Sequence, residues 1–295
     1  MVFRVKNTTF FRDFSVFDVL CIEKCRGCGD RGGFLCERCK KYIFEHYKNH
    51  CPVCKREVRG GVCRECLGEG RREGSEVCWE ESRERGEVSE RERGKGKEAY
   101  EVFSGLFSVG FRDEIIGEMV EEYKYYSVRG LSRVLGEILE KTAIRELRRE
   151  VKGYKNIVAI PLPTSRKHIR ERGFDHTELI LRKTGGVRIL RLLIRAKDTT
   201  QVGASEKKRL AQAKEAYNLN PKYFERGVEG EFRIREKYRG FLEGPVVLFD
   251  DIWTTGASMT EAAKILKRMG FLRIYGVVLG TNRKGRKPEI RRGEV

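Results

Sequence analysis

Eight of the ten cysteines fall into four Cys-x2-Cys pairs between residues 25 and 66. They group as Cys25-x2-Cys28-x7-Cys36-x2-Cys39 and Cys51-x2-Cys54-x8-Cys63-x2-Cys66. A Cys-x2-Cys turn lets two thiolates converge on one ion, and two such turns joined by a short loop complete a closed tetrahedral zinc site. The glycines of RGCGDRGG and RGGVC suit the tight turns required. The spacing therefore predicts a small zinc-ribbon-like domain holding two structural zinc ions. Each unit is expected to close on itself, with interleaving of the two as the alternative. Cys21 and Cys78 are left over and read as partly buried free thiols; His46 and His50 read as surface helix residues rather than ligands. Such a region is either a contact surface for nucleic acid or protein, or a metal-stapled cap on the rest of the chain.

A secreted disulfide framework would also be rich in cysteine. However, MVFRVKNTTFFRDF has no uninterrupted apolar stretch or small-residue cleavage site, and no apolar run in the chain could cross a bilayer. A cytosolic protein without membrane insertion is expected. The length of 295 residues and the 39% hydrophobic content allow two domains with one sizeable core and exclude wholesale disorder. Three blocks are legible: a cysteine-rich domain over 1–80, a charged linker or solvated helix over 81–98, and an α/β domain over 99–295. Of the formal charge of +18, the last block carries most. Eight thiolates on two Zn²⁺ would sharpen the contrast, since each tetrathiolate site carries a net −2.

In the third block, FRDEIIGEMVEEYKYY and VRGLSRVLGEILEKTAIRELRRE place apolar residues at three-to-four spacing and read as amphipathic helices. After them, NIVAIPLP, VRILRLLI, PVVLFDD and RIYGVVLG read as buried strands separated by helices. That alternation predicts a largely parallel sheet with ligands at its carboxyl end. The strongest chemical signal is PVVLFDDIWTTGASMTEAAKILK, a strand, an acidic pair, a Thr-Thr-Gly turn and a helix. Asp250 and Asp251 can accept hydrogen bonds from ribose hydroxyls, while Thr254, Thr255, Gly256, Ala257 and Ser258 offer hydroxyl and backbone N–H groups to a 5′-phosphate. No GxxxxGK[ST] loop occurs, which disfavours a P-loop nucleotide hydrolase.

DDIWTTGAS resembles the phosphoribosyl pyrophosphate (PRPP) motif of type I phosphoribosyltransferases. The wider chain resembles the competence protein F (ComF) family among them, through IPLPTSRKHIRERGFDHTELI, DTTQVGASEKKRLAQAKEAYNL, EEYKYYSVRGL and the cysteine unit. Asp175 stands where the family has Asn, Gln212 and Tyr217 replace Asn and Phe, Trp253 replaces a smaller residue, and 220–244 reads as an insertion. The resemblance implies a type I phosphoribosyltransferase fold: a parallel sheet flanked by helices, with a flexible hood. It implies an enzyme that binds PRPP with Mg²⁺ and transfers the phosphoribosyl group to an unidentified nucleobase or nucleic-acid-related acceptor. The loop with Thr164, Ser165, Arg166 and Lys167 would cradle pyrophosphate, with Arg170 and Arg172 nearby. In the hood, Arg209 would act on the reacting centre beside Asp250 and Asp251, while Lys207 and Lys208 read as solvated.

Thr254 occupies the position where purine enzymes of this kind carry a third carboxylate. Tyr125 and Trp253 are candidates to stack on a base, whereas Phe174 reads as core. The alternative is a non-catalytic PRPP-binding or single-stranded nucleic-acid-handling protein of the DNA-uptake type, with the tail NRKGRKPEIRRGEV as a basic contributor. A homo-oligomer is compatible with either reading.

Overall fold

The computed structural model describes residues 24–67, 90–112, 114–154, 157–196, 216–227 and 230–282. The cysteine region contributes helices α1 (Glu37–Glu45) and α2 (Arg64–Leu67). Helix α3 (Glu90–Val102), strand β1 (Gly105–Phe111) and helices α4 (Ile115–Tyr125) and α5 (Leu131–Leu139) follow. A π-helical turn at Glu140–Ile144 leads into α6 (Arg145–Glu150). Next come β2 (Ile157–Pro161), α7 (Arg166–Arg172), α8 (His176–Arg182) and β3 (Val187–Ile189). Two short hairpins are formed by β4 (Leu193–Arg195) with β5 (Tyr217–Leu219), and by β6 (Phe224–Arg226) with β7 (Phe232–Ile234). The last elements are β8 (Pro245–Trp253), α9 (Ala257–Arg268) and β9 (Arg273–Thr281).

Five strands build one all-parallel sheet in the order β1-β9-β8-β2-β3. Alternation along β8 explains its two covered faces. Val247 and Phe249 meet Met119 and Val120 of α4, Leu135 and Ile138 of α5, and Leu179 and Ile180 of α8. Val246 and Leu248 meet Met259, Ala262, Ala263 and Leu266 of α9 on the other face. Each such side chain contributes about 1.5–3 kcal/mol when fully buried. Among the described residues no helix is long and apolar enough to cross a membrane.

Two strand readings need correction. β1 was not legible, because its sequence GLFSVGF is broken by two glycines and a serine. VRILRLLI is not one strand: β3 stays in the large sheet, and the chain then leaves it so that β4 pairs with β5.

The cysteine region docks on the open edge of the sheet. Leu106 N–H donates to Gly61 O at 2.7 Å, the Asn49 amide donates to Leu106 O at 3.2 Å, and Ser108 N–H donates to Asn49 Oδ1 at 2.9 Å. An edge strand that would otherwise present unpaired backbone groups is thereby covered. Cys25, Leu35 and Cys39 enter the same apolar cluster as Phe107 and Tyr123. Arg26–Glu122 and Lys40–Glu137 ion pairs at 2.8 and 2.9 Å flank that contact. The charged segment also has a buried part, contrary to expectation. Residues 90–98 open α3, and a Cβ on Gly96 would lie 2.4 Å from Cys66 Cβ.

Candidate ligand site at the carboxyl end of the sheet

The cysteines gather into two groups, Cys25, Cys28, Cys36 and Cys39, and Cys51, Cys54, Cys63 and Cys66, with ligand atoms within 4.8 Å of one another. Closure is therefore sequential. Zinc–sulfur bonds of about 2.3 Å in a tetrahedron place the sulfurs roughly 3.8 Å apart. The Cys28–Cys36, Cys51–Cys66 and Cys54–Cys63 Sγ separations are 3.8, 3.7 and 3.6 Å. Both groups could hold a zinc ion. His46 caps α1 and is exposed, as expected. His50 is not on a helix: it pairs with Glu57 in a β-bridge and tilts over Phe111 at 4.7 Å. Cys21 and Cys78 lie outside the described residues.

At the end of β8, successive side chains face opposite sides of the sheet, so Asp250 and Asp251 meet different neighbours. Asp251 is buried. Its Oδ2 lies 2.5 Å from Lys124 Nζ at the end of α4 and 2.6 Å from His176 Nε2 at the start of α8. Its Oδ1 accepts the Ile252 N–H at 2.6 Å. Burial opposes ionisation, but Lys124 and His176 hold the Asp251 carboxyl well below the usual carboxylate range. Asp250 is only half-buried and accepts the Asp251 N–H at 2.9 Å. Burial, reinforced by the neighbouring Asp251 charge, pushes its carboxyl up to about 8.

A network locks the imidazole in place. His176 Nδ1 is 3.0 Å from Thr164 Oγ1 and 3.3 Å from an Arg172 guanidinium nitrogen. Thr164 donates to Asp175 Oδ1 at 3.1 Å, and that oxygen also accepts from Thr177 Oγ1 and Glu178 N–H, capping α8. Tyr123 donates to His176 O at 3.0 Å. His176, Asp250 and Asp251 approach closely enough to gather a divalent cation, but the Lys124 ammonium already occupies the outer oxygen of Asp251.

Beyond β8 the turn 254–256 leads into α9. Gly256 has φ +77°, and a Cβ there would lie 2.1 Å from Trp253 Cζ2, so glycine is required twice over. No side chain caps α9; the nearest contact is a long one, Ala257 N–H to Thr255 Oγ1 at 3.4 Å. A helix start without a side-chain cap favours an anion. Buried Tyr217 comes beside this turn, where its phenol contacts Ser258, senses Asp250, and meets Arg195 at 3.2 Å; burial pushes it up to about 12.

A comparison with protein-family models found no match to this chain, and one with curated proteins found none either. The site is therefore described by its own geometry.

The expected site residues divide into four sets. Asp250 and the 254–258 turn converge, with Asp251 buried just behind. Thr164 and Ser165 are turned inward, Thr164 onto His176 and Asp175, and Ser165 capping α7 by accepting the His168 N–H at 3.2 Å. Arg166 and Lys167 are exposed on α7, where Lys167 reaches Glu171 at 3.8 Å. Arg209, with Lys197, Lys207, Lys208 and Gln212, lies outside the described residues, as does the basic tail. Trp253 is not a stacking platform: it is buried, edge-on to Phe103 at 6.3 Å. Phe174 is core, against Tyr123 at 5.2 Å, while Tyr125 is 70% exposed. Lys124 and His176 went unread as site residues. Each sits in an ordinary helical pattern, and only packing carries it to Asp251.

Proposed function

We propose that this chain is a ComF-like phosphoribosyltransferase of the type I fold that binds PRPP with Mg²⁺, and that its cysteine groups hold two structural zinc ions. The observation that carries the reading is the joining of half-exposed Asp250 to the uncapped Gly256 turn at the carboxyl end of a parallel sheet. Asp250 would hydrogen-bond a ribose hydroxyl through its carboxyl group, and residues 254–258 would take the 5′-phosphate on backbone N–H and hydroxyl groups. Asp251, clamped by Lys124 and His176, would keep the strand end rigid so that Asp250 and the turn stay in register.

In the reaction, the bond from ribose C1 to pyrophosphate breaks and its electron pair leaves with pyrophosphate. An acceptor nitrogen then forms the new bond to C1 and gives up its proton. Mg²⁺ bound with the substrate supplies charge stabilisation for the leaving group. Arg166, Lys167 and the hood residue Arg209 are the side chains expected to add to it.

Titration calorimetry with PRPP and Mg²⁺ tests binding. The wild type should bind, and Asp250→Asn should weaken binding at least about tenfold, roughly 1.4 kcal/mol. Release of pyrophosphate in the presence of a panel of nucleobases would then establish turnover. No binding by the folded wild type removes the reading.

A further inference from the structure

The second cysteine group does not hang on the outside of the fold. Its loop reaches the carboxyl end of the sheet, where Lys55 Nζ contacts both Pro52 O and Thr281 Oγ1, and Thr281 donates back to Pro52 O at 3.2 Å. Thr281 is the register partner of Trp253. Val53 packs on the apolar cluster that contains Phe103 and Trp253, and Tyr100 joins it. Tyr100 also binds the cysteine loop: its hydroxyl accepts the Cys63 N–H at 3.1 Å and donates to Gly61 O at 3.3 Å. From Trp253 the contact runs directly to Gly256, whose missing Cβ makes room for the indole. The first cysteine group packs on the opposite cluster, away from Trp253.

We propose that Trp253 is a positioning residue through which the Cys51–Cys66 group controls the 254–258 turn, so that metal loss at that group weakens anion binding at the turn. The two-state element is the cysteine loop itself. A four-thiolate site with its metal is folded, and without metal the loop loses the ion that ties its two Cys-x2-Cys turns together. Unfolding it withdraws Val53 and Lys55 together. The cluster around Trp253 then loses Val53, its register partner Thr281 loses Lys55, and the packing that holds Gly256 and the turn loosens. Linkage makes the effect reciprocal: a ligand on the turn must tighten metal binding at this group by the factor by which metal loss weakens the ligand. The ligand half of the statement rests on the phosphate-binding reading above, while the link between the two regions does not.

Hydrogen exchange on the full chain separates the two. Cys54→Ser should accelerate exchange of amides 254–260 about tenfold or more, whereas Cys28→Ser should leave them unchanged. If Cys54→Ser does not fold, Val53→Ala keeps all four thiolates and trims the side chain that packs on both the cysteines and the Trp253 cluster, and should give the same pattern at smaller amplitude. A second readout is zinc affinity at equilibrium, measured by competition with a chromogenic chelator, with ribose 5-phosphate as the probe. The sugar phosphate should tighten one of the two zinc equivalents about fivefold and leave the other alone. A merely structural Trp253 would not move that affinity. Unchanged exchange at 254–260 in both the Cys54→Ser and Val53→Ala proteins, or sugar phosphate that binds without tightening either equivalent, overturns the link. Exchange that responds as expected in a protein that fails to bind ribose 5-phosphate upholds the link and rejects the phosphate reading.

Discussion

The cysteine groups and the aspartate pair are both clusters of acidic groups held together at close range, and they are stabilised by different means. Each set of four sulfurs packs within 4.8 Å, and four thiolates at that range call for a cation bound among them to neutralise their charge. Asp250 and Asp251 are neutralised from within. Lys124 and His176 converge on one carboxylate, and burial beside that charge keeps a proton on the other at neutral pH. A cluster of the first kind makes folding conditional on metal. One of the second kind is preformed, and it keeps a protonated acid at the mouth of the site at the expense of some stability.

The largest expected effect comes from removing the metal. Purified protein never exposed to chelator should carry about two zinc equivalents, and stripping them should lower the melting temperature by about 10 °C or more. Because Cys25, Leu35 and Cys39 share a core with Phe107 and Tyr123, scanning calorimetry should record the sheet melting together with the cysteine region. Protein that melts identically with and without metal would break the comparison at its first term. Next in size is Asp251→Asn, which strands Lys124 and His176 beside a neutral amide. Denaturant titration should register a loss of about 3–5 kcal/mol, and adding Lys124→Met should recover part of it. An additive double variant would mean that the pair is not coupled.

Asn49→Ala probes how firmly the cysteine region grips the sheet. The Asn49 amide donates to Gly60 O and Leu106 O and its oxygen accepts from Ser108 N–H, so truncation should lower stability by about 1–3 kcal/mol without loss of zinc. The smallest effect has the opposite sign. Between the ordinary carboxyl range near pH 4 and its folded value of about 8, Asp250 holds a proton in the native state that the unfolded chain has lost. Stability from this group therefore falls as pH rises through that window. Asp250→Asn should remove the slope and make the free protein more stable than wild type near pH 8, by a few degrees, while binding suffers. Asp251, whose carboxyl is held low, works in the other direction: its contribution is present above about pH 4 and is lost as pH falls further. Parallel melting curves of wild type and Asp250→Asn from pH 5 to 8 would contradict the buried-acid assignment.

What could be read from residue order alone was whatever rests on neighbours in the chain. The two Cys-x2-Cys sets, the buried strands β2, β8 and β9, and the turn into α9 are each defined within a few residues, by side-chain spacing, a short continuous apolar run or a glycine that must adopt positive φ. β1 escaped notice because its small residues are buried by what packs over them, not by their own hydrophobicity. The roles of the two aspartates also lay beyond reach. Asp250 and Asp251 are identical in sequence terms, and they differ because distant parts of the chain bring Lys124 and His176, on helices, to one of them and Tyr217, on strand β5, near the other. Trp253 was likewise a candidate for stacking until packing turned it inward beneath Gly256. Covalent geometry and local periodicity act over a few residues. Charge, burial and support act through space, and only the tertiary structure decides which groups share it.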